Sequence, residues 1–238
     1  MRLLRTFLPS ALTLVLVVAA LAACTSTAGA FALRSPQKAF SSSPLQYYFN
    51  GKTQAINTLT DQLNAQVWST TLSGNSTLTI MVELTSNANA NTIGIYNTLD
   101  PNPAAGGLFM VFPGAATVGW YASAHFENGN LLVSLFDNHG VPQGQTWYTG
   151  VSPDAFGFYL QRPGVLFFSE DSRNGGNPQM LTYAGTGRNA TTWWECFEDM
   201  PYNASTSYFV SAVLSLESML PVVPTNGTTW GRLKSLYR

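Results

Sequence analysis

The stretch TVGWYASAHFENGNLLVSLF, residues 117–136, decides the fold class. Two runs of apolar, aromatic and small residues flank Glu127-Asn128-Gly129-Asn130, and Asn-Gly supplies the positive φ that a two-residue hairpin turn requires. The spacing predicts two antiparallel strands joined by a tight turn. Working outward, the same pattern recurs. Asp137-Asn138-His139-Gly140 reads as a second turn, and FGFYL (156–160) and VLFFS (165–169) bracket Gln161-Arg162-Pro163-Gly164, where Pro-Gly suits a third. TLTIMVEL (77–84) alternates Leu78, Ile80, Val82 and Leu84 against Thr77, Thr79 and Glu83. With TTWWECF (191–197) and SYFVSAVLSL (207–216), the pattern predicts about ten or eleven strands close together in sequence. That is the signature of an all-β fold, an antiparallel β-sandwich of jelly-roll-like character. One helix is expected, over Lys52 to Leu63, with Ile56, Leu59 and Leu63 on one side.

Composition narrows the function classes. Charged residues make up 10 % of the 238 residues, against about a quarter in ordinary globular chains. Between Lys52 and Arg162 there is no Lys or Arg, while Asp61, Glu83, Asp100, Glu127, Asp137 and Asp154 all fall there. Phosphate binding needs clustered basic residues, so a nucleic-acid partner is not expected. Two cysteines, Cys24 and Cys196, offer no disulfide framework within a mature domain. Cys196, on an expected strand, reads as a small buried hydrophobe.

The N-terminus, MRLLRTFLPSALTLVLVVAALAAC, places Arg2 and Arg5 before an apolar run and then small residues, the layout of a secretory leader. Leu21-Ala22-Ala23-Cys24 has the form of a bacterial lipobox, which makes 1–24 a signal peptide whose Cys24 becomes a lipid anchor to the membrane. Cleavage after Ala28-Gly29-Ala30 and an uncleaved anchor are the alternatives. Residues 25–44 read as a linker, 45–220 as the β-sandwich domain, and 221–238 as an amphipathic, basic tail in which Trp230, Leu233 and Tyr237 share a helical face.

Several motifs resemble a known family. LQYYFNGKTQAIN (45–57), DQLNAQVWST (61–70) and MVELTSNANANTIGIYN (81–97) resemble the start of a domain of unknown function found in bacterial exosortase-sorted (PEP-CTERM) secreted proteins. FGFYL (156–160), FFSEDSRNGGNPQMLTY (167–183) and FEDM (197–200) resemble its closing half in the same order. The resemblance implies an exported β-rich domain of the cell surface or extracellular matrix, with no established catalysis. Many members continue past FED into an Asp-rich segment suited to calcium. Here Ser205, Ser207 and Phe209 stand where acidic or amide ligands are expected, and Val222-Val223-Pro224-Thr225 replaces the sorting motif.

Three kinds of candidate site follow. Glu198, Asp199, Glu170, Asp171 and Asn174 are the oxygen-bearing set that calcium, which takes six to eight oxygens, would require. The alternative reading is a strand end and an Asx-type turn at Asp171–Gly176. Without calcium, no cofactor is expected. Trp120-Tyr121, Trp147-Tyr148 and Trp193-Trp194 are adjacent aromatic pairs on expected strands, so one ring of each should face outward. Trp120, Trp147, Trp193 and Trp194 are therefore candidates for binding a surface glycan or protein partner, unless the second sheet or a loop covers them. Catalysis has little to work with. The two histidines are His139, in a turn, and His125, near a strand end, and no G-x-S-x-G, H-E-x-x-H or phosphate loop occurs.

Overall fold

The computed structural model describes residues 43–222. Cys24, most of the expected linker and the tail from residue 223 onward lie outside the described residues, while Pro221, expected in the tail, belongs to the last strand. One α-helix, α1 (Pro44–Gly51), is followed by thirteen strands among the described residues. They are β1 (Trp68–Thr70), β2 (Asn75–Val82), β3 (Thr92–Asn97), β4 (Leu108–Phe112), β5 (Tyr121–Glu127), β6 (Asn130–Phe136) and β7 (Pro142–Thr149), then β8 (Phe156–Arg162), β9 (Val165–Phe168), β10 (Met180–Ala184), β11 (Thr192–Phe197), β12 (Ala212–Glu217) and β13 (Met219–Pro221).

These form two antiparallel sheets, a β-sandwich as the sequence predicts. A seven-stranded sheet runs β10-β11-β12-β2-β5-β6-β7, and a six-stranded sheet runs β13-β1-β8-β3-β4 with β9 also paired to β8. The hairpins are those the turn residues announce. Glu127 pairs with Asn130 around Asn128 (φ 52°) and Gly129 (φ 75°), and Arg162 pairs with Val165 around Pro163-Gly164, with Gly164 at φ 77°. The strand count exceeds the expectation because β1 and β13 are three residues each, too short to show a period.

The main core lies between the sheets. Leu78 and Ile80 of β2, Ala122, Ala124 and Phe126 of β5, and Leu214 and Leu216 of β12 share one buried cluster with Trp68, Ile93, Ile95, Phe156, Phe158 and Leu160 of the facing sheet. Between β3 and β4 the chains approach closely at Gly94, where a Cβ would meet the Phe109 carbonyl and, at 2.6 Å, the Tyr159 ring. The inward alternation of β2 does not continue to Leu84, which is 58 % exposed. Ile80 pairs with Leu214 but Val82 pairs with Val213, so Met81 is an extra residue in the ladder. This β-bulge reverses the phase, and Met81 and Val82 pack instead on a second cluster.

That second cluster lies on the opposite face of β10, β11 and β12. It joins Leu181, Tyr183, Trp194, Cys196 and Val213 to Leu45 and Phe49 of α1. The helix is not at Lys52–Leu63. Ser43 caps it by accepting from Gln46 N at 3.2 Å, and Pro44 takes the first turn, where its missing N–H is not needed. Thr53, at φ 55°, follows the helix end, and 52–63 runs as turns and extended chain with Gln54, Thr58 and Gln62 buried. Ser43 and Pro44, assigned to the linker by composition, therefore belong to the packed domain. The Phe49 ring stands edge-on to Tyr183 at 5.4 Å and Trp194 at 5.7 Å. Replacing Phe49 with Ala should cost about 3–5 kcal/mol in urea unfolding, by loss of transfer energy and the cavity left behind.

Candidate functional site

The acidic residues do not gather into one centre. Glu170, at the end of β9, accepts from Tyr96 Oη at 2.8 Å and from Arg173 Nε at 2.6 Å. The Arg173 guanidinium also donates to the Thr98 and Asp100 carbonyls and lies over the Tyr96 ring at 5.1 Å. Asp171 pairs its N–H and one carboxylate oxygen with the Gln66 amide, and Asn174 closes the turn on the Phe168 backbone. This set clamps the 170–176 turn over the outer face of the six-stranded sheet, where Tyr96 and Phe168 pack ring to ring.

Glu198 and Asp199 do a separate job at the end of β11. Glu198 accepts from Tyr208 N at 3.0 Å, with longer contacts from Phe209 N and Met200 N at 3.4 Å, so the loop that follows β11 folds back onto its own first carboxylate. Burial pushes the Glu198 carboxyl up from its ordinary value, partly offset by those three N–H groups. Asp199 is 1 % exposed and accepts from Thr85 Oγ1 (2.7 Å), Asn91 Nδ2 (3.0 Å), Asn87 Nδ2 (3.2 Å) and Ser211 Oγ (3.0 Å). Burial alone would raise its carboxyl, but the four donors outweigh burial and hold it below the usual value. The first set is held by Tyr96, Arg173 and Gln66, the second by the 85–91 segment and the 200–211 loop. Among the described residues, no group of three or more His, Cys, Asp or Glu is placed to hold a metal ion. Cys196 is buried, with burial and the neighbouring Glu195 raising its thiol well above the ordinary range, so it is not a reactive thiolate.

The aromatic pairs obey the alternation, but what covers them differs. In Trp193-Trp194 the outward ring, Trp194, is 1 % exposed beneath Tyr48 and Phe49 of α1, and so offers no platform. Trp193 is turned inward, edge-on to Trp68 at 6.0 Å, with Nε1 donating to Met219 O. Trp120 packs against the main core, and its neighbour Tyr121 faces outward, stacked on Phe136 at 4.9 Å and 11°. In the third pair Tyr148 turns inward against Phe109, while Trp147 stands outward at 53 % exposure. Of the four tryptophans singled out by sequence, Trp147 is the most exposed; Trp120 and Trp193 are half-buried and Trp194 is covered.

Trp147 belongs to an open sheet face. Register places Asn75, His125, Leu132 and Trp147 in one row across β2, β5, β6 and β7, and Thr77, Ser123, Ser134 and Gln145 in the next. Gln145 Nε2 donates to Ser134 Oγ at 2.9 Å, and the His125 Nδ1 and Asn75 Oδ1 atoms lie 2.7 Å apart. His125 Nε2 is 3.5 Å from Glu127 at the border of the face. The result is a strip of hydroxyls, amides and one imidazole, bordered by the Glu217 and Glu127 carboxylates, with one exposed indole at its end. Sequence reasoning missed the polar members, which are unremarkable singly and acquire meaning through cross-strand register. His139 lies in the Asp137 turn, where Asp137 accepts from His139 N, Val141 N and Gln143 Nε2. Protein-family models, curated proteins and solved structures gave no match to this chain.

The acidic junction yields a direct expectation. Melting temperatures in EDTA and in millimolar calcium should coincide, because a metal at Asp199 would have to displace four donors. Asp199→Asn should cost about 3 kcal/mol by stranding buried donors. The folded carboxyl titrates below its unfolded value, so its contribution is present above that value and fades as pH falls through the folded one. Urea titrations on acidification should therefore show a shallower loss of stability for Asp199→Asn than for the native chain.

Proposed function

We propose that this chain is an exported, lipid-anchored protein of the cell surface or extracellular matrix that acts by binding rather than catalysis, with a neutral glycan as its ligand. The observation that carries the ligand is Trp147, an exposed indole beside the polar Gln145, Ser134, His125 and Asn75 strip. Sugar rings present an apolar face bordered by hydroxyls. An indole complements the first, and amide, hydroxyl and imidazole groups complement the second. The strip is a sheet surface rather than a deep pocket, which suits an extended polymer more than a small metabolite. The Glu127 and Glu217 carboxylates at its borders repel acidic saccharides and leave neutral ones favoured. Export and anchoring rest on the leader and on the lipobox form of Leu21–Cys24, and the surface role also draws on the resemblance to exosortase-sorted proteins.

Affinity electrophoresis through gels containing neutral polysaccharides tests the ligand. Native protein should be retarded, and Trp147→Ala should lose the retardation, with binding weakened at least about tenfold, or ~1.4 kcal/mol. Retardation unchanged in Trp147→Ala would remove the assignment. For the anchor, Cys24→Ala should move the protein from the membrane fraction to the soluble fraction, and retention in the membrane would rule out the lipobox.

A further inference from the structure

The strand that carries Trp147 is also an unprotected edge. β7 is the last strand of the seven-stranded sheet and β4 the last of the six-stranded sheet. The two lie at the same end of the sandwich, where Tyr148 Oη donates to Met110 O at 3.0 Å. Between them opens a cleft of about 330 Å³ lined by Met110, Val111, Val133, Leu135 and Thr146. The opposite edges are better guarded. β10 accepts at its Thr182 carbonyl from Leu63 N, and β13 is three residues long and ends on Pro221.

Exposed edges are normally blunted by Lys, Pro, bulges or short length. β7 has eight residues, PQGQTWYT, without a charge. Pro142 sits at its start, and the register shift opposite Leu135 and Phe136 lies at that same end, leaving Gln145–Thr149 regular. The two-residue turn makes Glu127 and Asn130 a hydrogen-bonded pair, which sets the phase of the ladder. By alternation, Leu131, Val133 and Leu135 bond to β7 through Tyr148, Thr146 and Gly144. The backbone groups of Gln145, Trp147 and Thr149 then point away from the sheet.

We infer that β7 pairs antiparallel with β7 of a second copy about a twofold axis normal to the sheet, with Trp147 opposite its twin and Gln145 opposite Thr149. A second copy fits better than a lone peptide strand for two reasons. It brings its own β4 alongside, so both sheets are extended and the cleft at Met110 and Leu135 is covered from the partner side. A twofold also sets the strand against itself, so a charge at the axis would face its own twin and a net charge would be doubled across the pair, and β7 carries none. The pairing leaves both outer faces on one side and brings two Trp147 rings together. It stands whether or not the glycan reading does.

The test is mass by light scattering of the purified full chain in detergent micelles. Native protein should be a dimer at tens of micromolar. Gln145→Pro removes an N–H that has no partner within one copy and should give a monomer with at least tenfold weaker association. Trp147→Cys should form an intermolecular disulfide under mild oxidation that the native chain, which keeps Cys24 and Cys196, does not form, and this settles the matter if the proline variant does not fold. A native monomer, or a dimer that persists in Gln145→Pro and does not cross-link through position 147, overturns the pairing. Thr149→Pro removes another outward N–H, at a position outside the glycan strip, and loss of dimerisation there with polysaccharide retardation kept separates this interface from the glycan site.

Discussion

Everything in the larger sheet hangs on the pairing of β12 with β2. It joins a strand near the start of the domain to one near its end, and sets both in the middle of a seven-stranded sheet. Such non-local pairing must overcome a long loop closure before it is rewarded, and here the reward is burial on both faces of β12. Leu214 and Leu216 enter the main core, while Val213, past the bulge at Met81, enters the cluster under α1. With β12 so placed, the connection from β11 must turn sharply at the sheet's rim, where its backbone N–H groups lose water and need acceptors. Glu198 is that acceptor, and Asp199 beside it takes side-chain donors. The acid pair is thus a consequence of topology: one carboxylate folds the loop back, and the other ties it to the Thr85–Asn91 connection through side chains 108 to 114 residues away in sequence.

What the sequence reveals divides along the line between local and distant causes. The hairpins at Asn128-Gly129 and Pro163-Gly164 were legible because a turn's backbone demands are met by the residues in it. The direction of each aromatic ring was legible because strand alternation is local. What lies over the ring was not. Trp194 and Trp147 have the same local pattern, yet Trp194 is covered by a helix from the other end of the domain and Trp147 by nothing. The helix was misplaced for a related reason. Lys52–Leu63 shows a weak apolar period, but Ser43-Pro44 carries the cap and the favourable first-turn residue, and Phe49 has a buried aromatic pocket to fill. Capping and tertiary burial outweighed the period. The carboxylates at 198 and 199 looked like ligands awaiting a metal because their donors are scattered through the chain.

The outer face of the large sheet is treated differently along its width. Over β10 to β12 it is apolar, with Leu181, Tyr183, Trp194 and Cys196, and α1 covers it. Across β12 and β2 it turns polar, through Ser215, Thr79 and Thr77, and then continues as Ser123, Ser134 and Gln145. Hydroxyls and amides remain hydrated without cover, so this half needs no helix. Tyr121 and Phe136 limit their own exposure by stacking on each other. Trp147 has neither cover nor stacking partner on this face, although an indole is among the side chains that gain most from burial. A fold that buries Trp68 and Trp194 almost completely, and sets both among other rings, has the means to shelter a third. Leaving Trp147 at the junction of a hydroxyl-and-amide strip and an uncharged strand edge is a stability cost without return inside the isolated domain. The proposed glycan or second copy would supply that return.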